Sequence, residues 1–105
     1  MAITQGWRDI AEHFGYESRS NQLIEECAEL IQALSKYHRV TTGKGEPVAD
    51  YNATVVLDNL IEEIADVEVM LEQVKYLLRI PEDEIEAVKL FKENRTRERM
   101  ASKGA

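Results

Sequence analysis

Two short acidic segments carry the residues of this chain that are best suited to chemistry. They read EECAE at residues 25–29 and EEIAD at residues 62–66. Each holds two acids three residues apart, and these pairs are Glu26 with Glu29 and Glu63 with Asp66. Residues three apart lie one turn apart on the same side of a helix, so each pair can point at one cation. Four carboxylates, with waters completing the shell, suit Mg²⁺, with Mn²⁺ as the alternative.

The position of these acids on their helices separates a metal site from an ordinary solvated surface. Glutamate is common on helix surfaces, and acid pairs in a Glu-rich chain usually face water. Glu63, however, has Leu60 and Val67 as helical neighbours and falls inside the apolar arc of its helix. A lone carboxylate against packed surface is costly unless it is paired or bound to metal. Glu26 is expected at the margin of its apolar face, and Glu29 is expected to be more exposed.

The elements that must position these acids are predicted to be helices. Glycines and prolines are concentrated between long segments of strong helix formers, and no extended alternating strand pattern is present. Four helices are predicted, from about Thr4 to Phe14, from Ser18 or Ser20 to Arg39, from Ala53 to Arg79 and from Pro81 to Met100. Gly15 is expected to end the first helix, and a Gly- and Pro-rich loop is expected from Val40 to Asn52. The fold class is therefore all-α, an antiparallel four-helix bundle with the two acid-bearing helices packed together.

Length and charge restrict the classes of protein that fit. The 105 residues fit one domain, covering 1–105, with a modest core. Twenty acids against 13 bases give a net charge of −7, which disfavours a binder of duplex nucleic acid. There is no apolar signal or membrane-spanning run, and Cys27 is the single cysteine. A cytoplasmic protein without a membrane partner is expected. Cys27 itself, at core spacing with Leu23 and Leu30, is predicted to pack inside.

The third predicted helix is apolar over more of its circumference than one stripe requires. Apolar residues outside a single stripe are Leu57, Ile61, Met70, Leu77 and Leu78. Because such a surface calls for a cover, a second chain is predicted to pack on it. The expected assembly is a homodimer or a homotetramer.

The acid pairs also carry a resemblance to a known family. Glu25-Glu26-x-x-Glu29 followed by Glu63-x-x-Asp66 resembles the EExxE…ExxD signature of the MazG-like all-α nucleoside triphosphate pyrophosphohydrolases. The surrounding segments QLIEECAELIQAL and NLIEEIADVEVMLEQV have the apolar pattern of that family, and KLFKENRTR resembles its K…KN..R segment. The chain departs from the family in the longer separation of its two acid pairs, which the loop from Val40 to Asn52 causes.

The resemblance implies a reaction and a role for each matching residue. It implies Mg²⁺ held by Glu26, Glu29, Glu63 and Asp66. Water, oriented or deprotonated by Glu25 or Glu62, would attack the α-phosphorus of a nucleoside triphosphate and release pyrophosphate and a nucleoside monophosphate, in house-cleaning or nucleotide-pool control. Candidates for phosphate contacts are Lys89, Lys92, Asn94 and Arg97. The alternative for these four is a basic helix end that complements the helix dipole.

Three other interpretations compete with this one. A di-iron bundle needs Glu-x-x-His pairs, and neither His13 nor His38 follows a glutamate by three residues. A non-enzymatic helical interaction module would explain the apolar faces but not Glu63 within one of them. Within the same superfamily, a phosphoribosyl-ATP hydrolase or a dUTP/dCTP-type hydrolase would share the metal chemistry. No base-reading motif in the sequence chooses among these substrates.

Overall fold

Three α-helices make up the part of the chain that the structure, a computed structural model, describes, namely residues 3–42 and 53–104. They are α1 (Gln5–Thr42), α2 (Ala53–Leu78) and α3 (Glu82–Gly104). No strand occurs in these two ranges, so the all-α prediction is confirmed. The predicted second helix continues three residues beyond Arg39, to Thr42. The rest of the predicted loop, residues 43–52, lies outside the described residues.

A single glycine divides α1. Gly15 has φ of 83° and ψ of 169°, whereas the residues on both sides of it are helical. Glycine reaches this region because it has no Cβ to collide with the backbone. The predicted break at Gly15 is therefore confirmed, but an N-cap at Ser18 or Ser20 is wrong. The helix resumes without a loop, and the Ser20 hydroxyl donates to the Glu17 carbonyl oxygen at 3.2 Å.

α1 and α2 pack side by side as an antiparallel helical hairpin. Glu29 lies opposite Glu63, while Tyr76, near the far end of α2, donates a hydrogen bond to Glu12 near the start of α1. The buried side chains along this seam include Ala11, Ala33, Val56, Leu60, Val67, Met70 and Gln73. The amide nitrogen of the buried Gln73 donates to the Val69 carbonyl oxygen at 3.1 Å, whereas its Oε1 is buried without a hydrogen-bond partner among the described residues. This seam is the core of the chain.

The apolar residues of α2 divide between this seam and the surface. Met70 is buried in the seam and Leu77 is half-buried, so Met70 does not belong to a surface that a second chain would cover. Leu57, Ile61 and Leu78 remain exposed, as the prediction of a second covering chain requires.

α2 and α3 are joined by a tight turn. Arg79 has φ of 56°, and the amides of Arg79 and Ile80 donate to the carbonyl oxygens of Tyr76 and Lys75 at 3.1 and 3.0 Å. This is a Schellman motif, which satisfies the last carbonyl groups of a helix. Pro81 then precedes α3, whose first turn is acidic, as predicted for a helix start.

α3 extends away from the hairpin. Within the described ranges it packs against neither α1 nor α2, and an ion pair at 2.6 Å between Lys75 and Glu82 holds only its first turn. The radius of gyration is 17.7 Å, against about 13 Å for a compact domain of this length. The four-helix bundle is therefore not closed by one copy of the chain and stays a prediction. Neither described range contains a helix long and apolar enough to cross a membrane.

Candidate metal centre

Three carboxylates from the two helices of the hairpin converge. Glu26 and Glu29 of α1 and Glu63 of α2 each place one oxygen within 4.8 Å of the other two. The antiparallel register causes this, because it sets residues 26–29 opposite residues 63–66. Glu26 and Glu63 are half-buried and Glu29 is exposed, as their positions on the predicted helices indicated.

The fourth acid, Asp66, belongs electrostatically to the same group. Partial burial raises the pKa of Glu63, and the negative charges of Glu29, Glu26 and Asp66 raise it further. The pKa of Asp66 is also raised, first by partial burial and then by the charge of Glu26 and a hydrogen bond with it. We call these four residues the acid cluster. The crowding opposes the charged forms of Glu63 and Asp66, which is the condition that a bound cation relieves.

Two oxygens of the acid cluster are both buried and unpartnered. Oε2 of Glu26 and Oε2 of Glu63 are closed to solvent and have no hydrogen-bond donor among the described residues. The other oxygen of Glu26, Oε1, accepts a hydrogen bond from Nε2 of Gln22 at 2.8 Å, which fixes the direction of the carboxylate. Buried acceptors without donors are costly. A divalent cation fits them, because hard cations take oxygen ligands.

Gln22 is the functional candidate that the sequence interpretation missed. It lies four residues before Glu26, so it stands one turn away on the same side of α1. This spacing was the available signal, and it is weak because glutamine is an ordinary surface residue of helices.

The two candidates for water activation lie beside the acid cluster but outside the converging group. Glu25 directly precedes Glu26, Glu62 directly precedes Glu63, and both are exposed. One step along a helix turns the side chain by about 100°. In this hairpin, that step carries both glutamates towards the side on which Glu29 and Asp66 lie. They are therefore in contact with solvent water at the edge of the cluster.

The candidate phosphate-binding residues are not brought to the acid cluster of the same chain. Lys89, Lys92, Asn94 and Arg97 are exposed on α3, which extends away from the hairpin. Lys89 pairs with Glu86 and Arg97 pairs with Glu93, both at 3.3 Å. Three of the four candidates, all but Asn94, line one shallow groove on α3. Their role in phosphate binding stays a prediction. It requires a contact between α3 and an acid cluster that one chain alone does not provide.

Cys27 corrects one packing prediction. It is exposed rather than packed inside. Between Leu23 and Leu30, either residue 26 or residue 27 could face the core. They lie three and four residues after Leu23, and a helical repeat of 3.6 residues does not distinguish these two steps. The structure turns Glu26 towards α2, which leaves Cys27 about 100° away on the outer surface.

The converging group consists of three carboxylates. No protein-family model, curated protein or solved structure matches the chain significantly. The acid cluster must therefore be interpreted from its own geometry and from the sequence pattern around it.

Proposed function

We propose that this chain is a Mg²⁺-dependent nucleoside triphosphate pyrophosphohydrolase. The observation that carries the proposal is the convergence of Glu26, Glu29 and Glu63 from two helices, with two buried carboxylate oxygens that no donor satisfies. A solvated acidic surface has no reason to turn carboxylates into a seam where they repel one another.

The acid cluster would hold the cation through Glu26, Glu29 and Glu63, with Asp66 at its exposed edge. When bound, Mg²⁺ neutralises a polyphosphate, orients it and lowers the pKa of bound water. The chain has a net charge of −7, so without a cation these acids would repel a nucleotide. Specificity for metal-loaded polyphosphates follows from this arrangement.

The exposed glutamates next to the acid cluster are assigned to the water. Glu25 or Glu62 would accept a proton from the attacking water as its oxygen bonds to the α-phosphorus. The bond from the α-phosphorus to the oxygen that bridges it to the β-phosphorus breaks, and that oxygen leaves with pyrophosphate. The nucleoside monophosphate is the second product.

Phosphate contacts are assigned to α3 of another copy in a homodimer or homotetramer. Within one chain, α3 extends away from the acid cluster, so Lys89, Lys92, Asn94 and Arg97 reach substrate only if a neighbouring copy presents them. Charge complementarity supports this assignment, because these residues are mostly cationic and the cluster is anionic.

The reaction is tested by pyrophosphate release from a panel of nucleoside triphosphates, with magnesium and with chelator. Wild type should release pyrophosphate only with the metal. Glu63→Gln should lose at least about 100-fold in rate, the upper end of what loss of a residue supporting a metal site costs. Glu17→Gln, the same change at an exposed position of α1, should retain the wild-type rate.

Metal binding is tested separately by thermal melts with magnesium and with chelator. Ligands that bind only the folded state raise the melting temperature. Magnesium should raise the melting temperatures of wild type and of Glu17→Gln, but it should leave the melting temperature of Glu63→Gln unchanged. Equal shifts in all three proteins would remove Glu63 from the site. Magnesium stabilisation without hydrolysis of any nucleotide would leave the metal site in place and contradict the reaction. No magnesium effect on wild type would favour the interaction module.

A further inference from the structure

A pocket that the proposed reaction does not use lies where the three helices meet. Its volume is about 190 Å³, and its apolar walls are Ile3, Tyr76 and Ile80. Ile3 precedes α1, Tyr76 lies on α2, and Ile80 lies in the turn to α3. Along α2, Tyr76 comes 13 residues after Glu63, a distance of about 20 Å at the rise of an α-helix. This space, which we call the junction pocket, is therefore separate from the acid cluster.

One wall of the junction pocket carries a cation without an acid partner. Arg8 is half-buried, and its Cζ lies 5.8 Å from the centroid of the Tyr76 ring. Glu12, one turn further along α1, accepts a hydrogen bond from Tyr76 instead. Among the described residues no acid forms an ion pair with Arg8, and its buried Nε–H has no acceptor. A half-buried guanidinium without a counter-charge favours an anionic group beside it.

Another wall carries a carboxylate in the same situation. Glu72 is half-buried, and Lys75, the base one turn along α2, forms an ion pair with Glu82 at 2.6 Å instead. Within the described ranges no base forms an ion pair with Glu72. Arg8 and Glu72 therefore line one pocket without pairing with each other. The junction pocket presents one unpaired charge of each sign.

We propose that the junction pocket binds a small zwitterion, a molecule of amino-acid size with one carboxylate and one ammonium group. The carboxylate lies against Arg8 and the ammonium lies against Glu72, so each unpaired charge of the protein is neutralised. The apolar walls take an apolar side chain of the ligand. This inference does not rest on the proposed reaction.

Size and charge favour this class of ligand over others. A cavity of about 150 Å³ holds benzene, so a slightly larger molecule fits the junction pocket. Pockets for drug-sized ligands are about 300–1,000 Å³, so a nucleotide is too large. A dianion such as phosphate would bring a second negative charge towards Glu72 and Glu82, and a diamine would bring a second positive charge towards Arg8 and Lys75. Both arrangements are opposed by like-charge repulsion.

The position of the junction pocket links its ligand to α3. Within the described ranges α3 packs against neither other helix, and the ion pair between Lys75 and Glu82 holds its first turn. The pocket is lined both by Arg8 of α1 and by Glu82 of α3. A bound zwitterion therefore bridges the hairpin and the start of α3. It should slow hydrogen exchange of the amides of Arg79 and Ile80 in the turn between α2 and α3.

Isothermal titration calorimetry with L-leucine and two analogues tests the charge requirement. Leucine, or one of the other apolar amino acids phenylalanine and methionine, should bind saturably. Isocaproate lacks the ammonium group of leucine, and isoamylamine lacks its carboxylate. Each should bind at least about tenfold more weakly, because one charge-assisted contact is lost. No binding of any of the three amino acids at millimolar concentration would overturn the proposal, and so would equal binding of leucine and either analogue.

Matched variants locate the site. Arg8→Gln and Glu72→Gln should each weaken amino-acid binding at least about tenfold. Glu68→Gln, at an exposed position one turn before Glu72, and Arg99→Gln, at an exposed position of α3, should bind like wild type. Circular dichroism establishes that each variant is folded, and Glu72→Gln carries the test if Arg8→Gln does not fold. Binding that both pocket variants retain would place the ligand elsewhere and overturn the assignment, as would unchanged hydrogen exchange of Arg79 and Ile80 on saturation.

Discussion

At the scale of single residues, the raised pKa values of Glu63 and Asp66 predict how stability depends on pH. In the metal-free protein these two carboxyl groups bind protons at a higher pH in the folded state than in the unfolded state. Stability should therefore increase as pH falls from neutrality through the raised values, towards the ordinary glutamate value of 4.5. The pKa of Glu82 is lowered by its bond with Lys75, so this group has the opposite effect on stability. Its contribution is lost only when the pH falls below the ordinary glutamate value and Glu82 becomes protonated.

The pH prediction is checked by urea unfolding in chelator at neutral and mildly acidic pH. The midpoint of wild type should rise on acidification, and the rise should be smaller in Glu63→Gln. With saturating magnesium the trend should reverse, because protons then compete with the cation. A wild-type midpoint that falls on acidification in chelator would mean that the acids are not crowded in solution.

The residues of the site were only partly accessible to sequence reasoning. The half-burial of Glu26 and Glu63 follows from their apolar neighbours at helical spacing, and that reasoning holds without knowledge of the partner helix. Gln22 was missed because glutamine is an ordinary surface residue of helices, whereas Cys27 was wrongly predicted to pack inside for a geometric reason. Which of two adjacent positions turns inward depends on where the second helix lies, and periodicity along one helix does not contain that direction.

At the scale of elements, Gly15 provides a sharp test of the break in α1. Its φ of 83° and ψ of 169° belong to a region that residues with a Cβ rarely enter. Gly15→Ala should destabilise the protein by about 1–3 kcal/mol, from backbone strain alone, since the added Cβ meets no atom within 4 Å. Gly6→Ala, in the first turn of α1, should be neutral or stabilising by up to about 1 kcal/mol. Urea unfolding at one protein concentration compares them, and equal losses would contradict the assigned geometry.

The basic surface of α3 gives a prediction for substrate binding. Arg97→Ala should raise the KM for the nucleotide by roughly tenfold, the cost of one charge-assisted contact, because Arg97 lies in the proposed phosphate-binding groove. Arg99→Ala removes the same charge about 200° away around the helix and should leave KM near the wild-type value. Steady-state pyrophosphate release measures both. Equal effects would mean that α3 contributes only general charge.

The helices themselves were largely predictable, and their packing was not. Ala53 to Arg79 and Pro81 to Met100 were predicted from helix formers and boundary residues, and the structure has Ala53–Leu78 and Glu82–Gly104. Those signals are local. Whether α3 returns to the hairpin depends on contacts between distant residues. Here the Schellman turn at Arg79 directs α3 away instead.

At the scale of the whole molecule, the chain has two dissimilar faces on one thin hairpin. The acid cluster lies on one side of the seam. Exposed apolar side chains, including Ile31 and Ile61, lie on the other side, which we call the apolar face. Since the seam is a single layer of side chains, each face is within one helix diameter of the other, about 10 Å. Covering the apolar face would therefore stiffen the helices that aim Glu26 and Glu63. Assembly and metal binding should stabilise each other through the same two helices.

The coupling of folding to assembly predicts a melting temperature that depends on protein concentration. A 17.7 Å radius of gyration and a core confined to one seam indicate that a single copy buries little for its length. If two copies complete the core, folding and association are one equilibrium, and mass action raises the melting temperature as concentration increases. Calorimetry of wild type over a wide concentration range should show this rise, in chelator as well as in magnesium. Ile61→Glu should melt at a lower temperature and lose the concentration dependence, because it places a charge on the apolar face. Leu90→Glu, the same change at an exposed position of α3, should keep the concentration dependence. A wild-type melting temperature that is constant over the range would mean that the lone hairpin is the folding unit, and the apolar face would then have no role in stability.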